Sequence, residues 1–113
     1  MVMGEATLET DVVVIGGGPG GYVAAIRAAD LGLSVILVEA RDRLGGVCLI
    51  EGCIPSKTLI HAVEVIKDAR EAKSMGITFG DFSLDLDKLR EYTSSVVENL
   101  TSGVHTLVTK RDI

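Results

Sequence analysis

Residues 11–39 read as one continuous instruction for a strand, a tight turn, a helix and a second strand. Asp11 to Ile15 (DVVVI) is a β-branched apolar run that ends in glycine, the pattern of a parallel strand buried on both faces. Gly16 to Gly21 is a glycine-rich turn. Tyr22 to Leu31 is alanine-rich and predicts a helix, with Gly32 as its natural stop. Ser34 to Val38 (SVILV) predicts a second buried strand. The whole unit, 11 to 38, takes 28 residues, the size of a compact right-handed crossover between parallel strands.

The rest of the chain is expected to be mostly helical. Met1 to Thr10 reads as a loose tail, and Arg41 to Gly46 as a loop leading into the run GGVCLIEGCIPSK. Pro55 to Ser74 predicts a helix whose apolar face carries Leu59, Val63, Ile66 and Ala69, closed by Gly76. Ile77 to Phe82 is a short connection with room for one strand. From Leu86 onward, Leu89, Val96, Leu100, Val104 and Leu107 predict a second long amphipathic helix, with Asp85 and Asp87 placed to suit the positive end of its dipole. Lys110 to Ile113 is a candidate third strand. A doubly wound sheet normally has more strands than this, so the chain is expected to be the opening portion of a larger protein.

Composition narrows the function classes. Of 113 residues, 47% are hydrophobic and 24% charged, which is globular and not disordered. The net charge of -5 leaves no basic stripe for nucleic acid or an anionic membrane. No uninterrupted apolar run approaches the roughly 18 residues that span a bilayer. MVMGEATLET has neither a secretory nor an Arg-rich targeting pattern, so the expected location is the cytoplasm. In that setting two cysteines point to catalysis or metal binding and not to a structural staple. Zinc needs about four ligands, and His61 and His105 lack the spacing to supply them. No metal site is expected.

Gly16-x-Gly18-x-x-Gly21 follows a predicted strand and opens a predicted helix, the context that gives this pattern meaning. Gly16 permits the turn, Gly18 lets backbone approach a pyrophosphate, and Gly21 allows helix and strand to pack closely. Helix N–H groups then face the phosphates. Glu39, 23 residues after Gly16 (16 to 39), is placed to accept ribose hydroxyls and to repel a 2′-phosphate. The motif alone fits NAD and FAD equally, since both carry an ADP half.

Cys48 and Cys53 are the only cysteines. On a regular helix, residues five apart have Cα atoms roughly 8–9 Å apart and point about 140° from one another. A disulfide needs less than about 7 Å. The segment must therefore depart from a regular helix, and Gly52 supplies the freedom. Pro55 suits the first turn of the following helix. Cys53 then lies at the positive helix end, where a thiolate is favoured, with Lys57 one turn on. Such a setting suits reversible thiol–disulfide exchange.

VVVIGGGPGGYVAAIRAADLG, VILVEA and LGGVCLIEGCIPSK together resemble the N-terminal FAD-binding part of the pyridine nucleotide–disulfide oxidoreductases, over essentially the whole chain. The resemblance implies an α/β fold: an incomplete Rossmann-like βαβ FAD-binding unit over residues 11–113, with two added long helices. It implies FAD with its ADP half over Gly16–Gly21, contacted by Gly16, Gly18, Pro19 and Gly21, by Glu39 and Ala40, and by Gly45, Gly46 and Val47. Cys48 would be the interchange thiol and Cys53 the thiol against the flavin, both counted among the flavin contacts. Lys57 would lie near the flavin ring. NAD would be the co-substrate, bound outside this chain. Ile-Pro-Ser-Lys resembles the branch that oxidises dihydrolipoamide more than the glutathione reductases, and mercuric reductases share it. Partners implied are dihydrolipoamide on a lipoyl domain of a 2-oxoacid dehydrogenase or glycine cleavage complex, and a second copy in a homodimer.

Two positions depart from the family's usual Cys-Leu-Asn-Val-Gly-Cys: Ile50 and Glu51. The Glu51 charge is expected to raise the thiol pKa values. The catalytic histidine and its glutamate, which the family carries near the end of a longer chain, match neither His61 nor His105, so both are expected to be ordinary helix residues. The 113 residues alone are expected not to turn over. Alternatives are another FAD disulfide reductase, a non-catalytic FAD-binding module that docks to another chain, and NAD binding without redox chemistry.

Overall fold

The computed structural model describes residues 7–113; residues 1–6 of the expected tail lie outside them. The tail's last residue is not loose, because the Thr10 hydroxyl donates to the Ser34 carbonyl at 2.8 Å. The first elements are β1 (Val12–Ile15), α1 (Pro19–Asp30) and β2 (Val35–Val38). The strands pair in parallel, Val12 with Val35 through Ile15 with Val38. A clasp closes their open end: the Ser34 N–H and hydroxyl each donate to Asp11 Oδ2 at 2.8 Å, and the Asp11 N–H donates to Ser34 Oγ at 2.8 Å.

α1 starts earlier than the sequence predicts. Pro19 takes its first turn, where a missing N–H costs nothing, so Gly20 and Gly21 are helical and only Gly16–Gly18 form the turn. The helix stops at Leu31, and Gly32 follows in the left-handed region at φ 87°, as expected.

The cysteine segment is two helices in place of a loop and one helix. α2 (Gly46–Ile50) is a single turn carrying Cys48, and α3 (Cys53–Glu71) begins at Cys53 itself, with Gly52 as its cap. A 3₁₀ turn, Ala72–Met75, ends at Gly76 in the left-handed region. Within Gly46–Met75 one stretch of 18 residues reaches a mean hydropathy of 1.2, enough by length and composition alone to cross a bilayer. The break at Glu51–Gly52 and the charges of Lys57, Glu64 and Lys67 divide the segment, so no uninterrupted apolar run spans it.

α4 (Leu86–Thr109) is capped by Asp85, whose carboxylate accepts the Asp87 and Lys88 N–H groups at 3.0 Å each. Its buried stripe is Val97, Thr101, Val104 and Val108: Val104 is buried as expected, Leu89 and Val96 are half-buried, and Leu100 and Leu107 are exposed, with Thr101 and Val108 taking their places. On α3 likewise, Leu59 and Val63 face out, while Thr58 is buried and Ala62, Ile66 and Ala69 are half-buried. Both helices present small or β-branched residues to their neighbours, which allows close approach.

Two expected strands do not form. Residues 77–82 are irregular and lie along α3, with the Arg70 guanidinium 5.2 Å over the Phe82 ring. Residues 110–113 turn back at the end of α4: Lys110 caps it, Asp112 adopts φ 57°, and the Ile113 N–H reaches the Val108 carbonyl. The orphan carbonyls of the last helical turn capture these N–H groups before the chain can extend.

The core lies where α1, β2, α2 and α4 meet. Leu49, Val104 and Val108 form its centre, with Ile26, Leu37, Leu44 and Ile113 around them. Among the described residues no large side chain is fully buried. One sheet face is covered by helices, and the other carries Val13, Ile15 and Val38 at 55%, 85% and 48% exposure. α3 and α4 pack against each other, and the molecule measures 72 × 37 × 19 Å.

Candidate functional site

The glycine turn is held shut by a carboxylate and by missing side chains. At Gly21 a Cβ would collide with the Gly16 carbonyl, so glycine is required for the first turn of α1 to seat on β1. Glu39, just past the end of β2, turns inward: its Oε2 accepts the Gly17 N–H at 2.7 Å and its Oε1 accepts the Arg41 N–H at 3.0 Å. Those two N–H groups, Arg41's first, hold the Glu39 carboxyl below its ordinary value of 4.5. Each oxygen keeps a second lone pair for another donor.

The cysteine turn is built directly on this loop. The Gly45 N–H donates to the Gly17 carbonyl at 2.8 Å. Gly46, at φ 60°, packs its backbone on Gly18, and a Cβ on Gly46 would lie 2.7 Å from the Gly18 Cα. Pro19 sits at the start of α1 and Val47 is exposed on α2, both beside this contact, while Ala40 lies in the turn after Glu39. Cys48 is half-buried against the core, and Cys53 is exposed at the start of α3. The break between α2 and α3 is the departure from a regular helix that the spacing demands. The thiols act on each other: the Cys53 side chain is the largest cause of an upward shift at Cys48, followed by burial, while Lys57 works in the opposite direction. Glu51 is not among these causes, contrary to expectation.

Residues 10–113 match the family described as pyridine nucleotide-disulphide oxidoreductase. The chain is 56% identical over 107 residues to dihydrolipoyl dehydrogenase 2 of Haloarcula marismortui, covering 95% of this chain and 22% of that protein. It is 54% identical to the dihydrolipoyl dehydrogenase of Bacillus subtilis, over 92% of this chain and 22% of that protein. It is 52% identical to that of Staphylococcus aureus, over 96% of this chain and 23% of that protein. The chain belongs to the pyridine nucleotide-disulphide oxidoreductase family. It spans under a quarter of the length of these relatives, and its two-stranded parallel sheet is part of that family's Rossmann-like FAD-binding fold.

Membership of the pyridine nucleotide-disulphide oxidoreductases implies flavin and nicotinamide nucleotide chemistry, and the residues fit the ADP half that these dinucleotides share. The turn between β1 and α1 carries no side chain on Gly16, Gly17 or Gly18, the α1 N–H groups open onto it, and Glu39 retains acceptor capacity. Beside Glu39 lies a cleft of about 250 Å³, and its far wall comes from α4 and the chain end: His105, Val108, Thr109 and Ile113. Sequence reasoning missed this wall, because nothing in a helical repeat tells which distant turn faces Glu39. It also missed Arg41, whose guanidinium reaches the Glu51 carboxylate at 2.9 and 3.5 Å. His61 lies on exposed α3, 3.9 Å from Glu64. Among the described residues no three His, Cys, Asp or Glu side chains gather as a metal would require.

Proposed function

We propose that residues 11–113 are the N-terminal portion of the FAD-binding domain of an enzyme that oxidises dihydrolipoamide to lipoamide with NAD as acceptor, through Cys48 and Cys53. The observation that carries this reading is the Gly18–Gly46 contact, which mounts the cysteine pair on the nucleotide turn. Gly16, Gly18, Pro19 and Gly21 flank the dinucleotide phosphates, and Glu39 with Ala40 receives the adenosine ribose. Gly45, Gly46 and Val47 border the middle of the cofactor.

In the oxidised pair, one thiolate of the substrate attacks Cys48, forming a mixed disulfide and releasing Cys53 as a thiolate beside Lys57. The second substrate thiol then attacks the substrate sulfur of that mixed disulfide. The substrate disulfide closes, Cys48 leaves, and the pair is left as a dithiol holding two electrons. Bound flavin supplies the two-electron acceptor that returns the pair to the disulfide. Lys57 favours the anionic form of Cys48, which speeds exchange. The base that takes the substrate proton lies outside this chain. The 113 residues alone do not turn over, and the whole protein works in the cytoplasm as a homodimer that meets its substrate on a lipoyl domain.

The test is NADH formation from dihydrolipoamide by the full-length protein. Cys48→Ser and Cys53→Ser should each lower turnover by more than about 1000-fold, the scale expected when a nucleophile that forms a covalent intermediate is lost, while flavin stays bound. Turnover surviving in either variant, or faster reduction of mercuric ion than oxidation of dihydrolipoamide, overturns the proposal.

A further inference from the structure

We infer that Arg41 is a positioning residue that neutralises Glu51 and holds its carboxylate off the two thiols, so that a negative charge can stand between Cys48 and Cys53 without slowing their chemistry. Glu51 caps α2 and donates its N–H to the Val47 carbonyl at 2.9 Å, which fixes its backbone three residues after Cys48 and two before Cys53. A free carboxylate there would disfavour a thiolate on either side. The Arg41 guanidinium instead reaches back across ten residues and grips both oxygens. Arg41 is itself fixed, because its N–H is held by Glu39. The chain thus runs from Gly17 through Glu39 and Arg41 to Glu51, joining the ribose-side turn to the cysteine turn with one ion pair.

A strap of this kind has two separable effects. Its mechanical effect is small, since the partners are 38% and 57% exposed and exposed ion pairs contribute little to stability. Its charge effect is to be read at the thiols that flank Glu51 in the chain, Cys48 and Cys53. The two effects predict different patterns in a double-mutant comparison. If Arg41 acts by neutralising Glu51, removing Arg41 alone is harmful, and removing both side chains is harmless. If the pair is only a strap, the double variant is as impaired as either single one.

This inference rests on Cys48 and Cys53 being the reactive pair, and its test needs no turnover. Full-length protein with flavin bound is reduced, and the rate at which iodoacetamide alkylates Cys48 is followed by peptide mass across neutral pH. Arg41→Ala should slow alkylation at neutral pH by about threefold, the factor for a shift of half a pKa unit. Arg41→Ala/Glu51→Val should restore the parent rate, Arg41→Lys should restore most of it, and Glu51→Val alone should react at least as fast as the parent. An unchanged rate in Arg41→Ala, a double variant as slow as Arg41→Ala, or a slowed Glu51→Val overturns the inference. Because alkylation reads the thiol directly, loss of the proposed dihydrolipoamide activity would leave this result standing.

Discussion

At the scale of single residues, the site depends on atoms that are missing. Gly21 has no room for a methyl group because the Gly16 carbonyl occupies that place. Gly21→Ala should therefore force α1 away from β1, at a cost of about 1–3 kcal/mol, the usual range for overpacking. Thermal unfolding of the full-length variant should occur several degrees lower, and flavin should be lost on gel filtration. Gly20→Ala is the matched control, since a Cβ there meets nothing within 4 Å, and it should keep its flavin. These roles were legible in the sequence because a glycine's reason for being present is local: Gly21 sits one turn from the strand it must touch. The Arg41–Glu51 pair was not legible. Two exposed charges ten residues apart could each face solvent, and only the folded path of the loop brings them together.

At the scale of elements, the parallel pair β1–β2 is held at one end by the Asp11–Ser34 clasp. The Ser34 N–H and hydroxyl hold the Asp11 carboxyl below its ordinary value of 3.8. A carboxyl lowered by folding favours the folded state above about pH 3.8, where it is ionised folded or unfolded, and that contribution is lost as pH falls through its lower folded value. Asp11→Asn should lower Tm at neutral pH, and the gap between the two proteins should close as pH falls through the lowered Asp11 value. A gap that persists unchanged at low pH would show that the carboxylate's charge is not what matters. Element identity was readable in β1 and β2 from short β-branched runs and in α1 from its alanines, although the strands are not buried on both faces as expected: Val13, Ile15 and Val38 are exposed. The helical faces were less readable. α3 carries Leu59 and Val63 on one side and Ala62, Ile66 and Ala69 on another, and the choice between them was made by α4. A strand at 110–113 could not be judged from its own letters, because a strand exists only if a neighbour pairs with it.

At the scale of the molecule, burial is one-sided. The core gathers at the junction of α1, β2, α2 and α4, while Val13, Ile15 and Val38 stand open on the far sheet face. The relatives are more than four times as long, so a chain of their length has further residues with which to cover such a face. The 113-residue chain on its own should therefore bind a hydrophobic dye strongly, and the full-length protein should bind it weakly. Ile15→Lys tests the location: it should reduce dye binding by the isolated stretch and destabilise the full-length protein. Equal dye binding by both lengths would show that the face stays open in the whole protein.

The seating of Gly46 on Gly18 also bears on how the protein is made. The two backbone contacts that seat the cysteine turn on the nucleotide turn, Gly45 on Gly17 and Gly46 on Gly18, lie within residues 16–53. On a ribosome these residues emerge before α4, and before most of a chain as long as the relatives. Closing so short a loop takes far less time than adding the next residue. The two thiols are therefore brought together early, at a stage when no finished enzyme surrounds them, and reducing conditions during synthesis determine the oxidation state in which the pair is first enclosed.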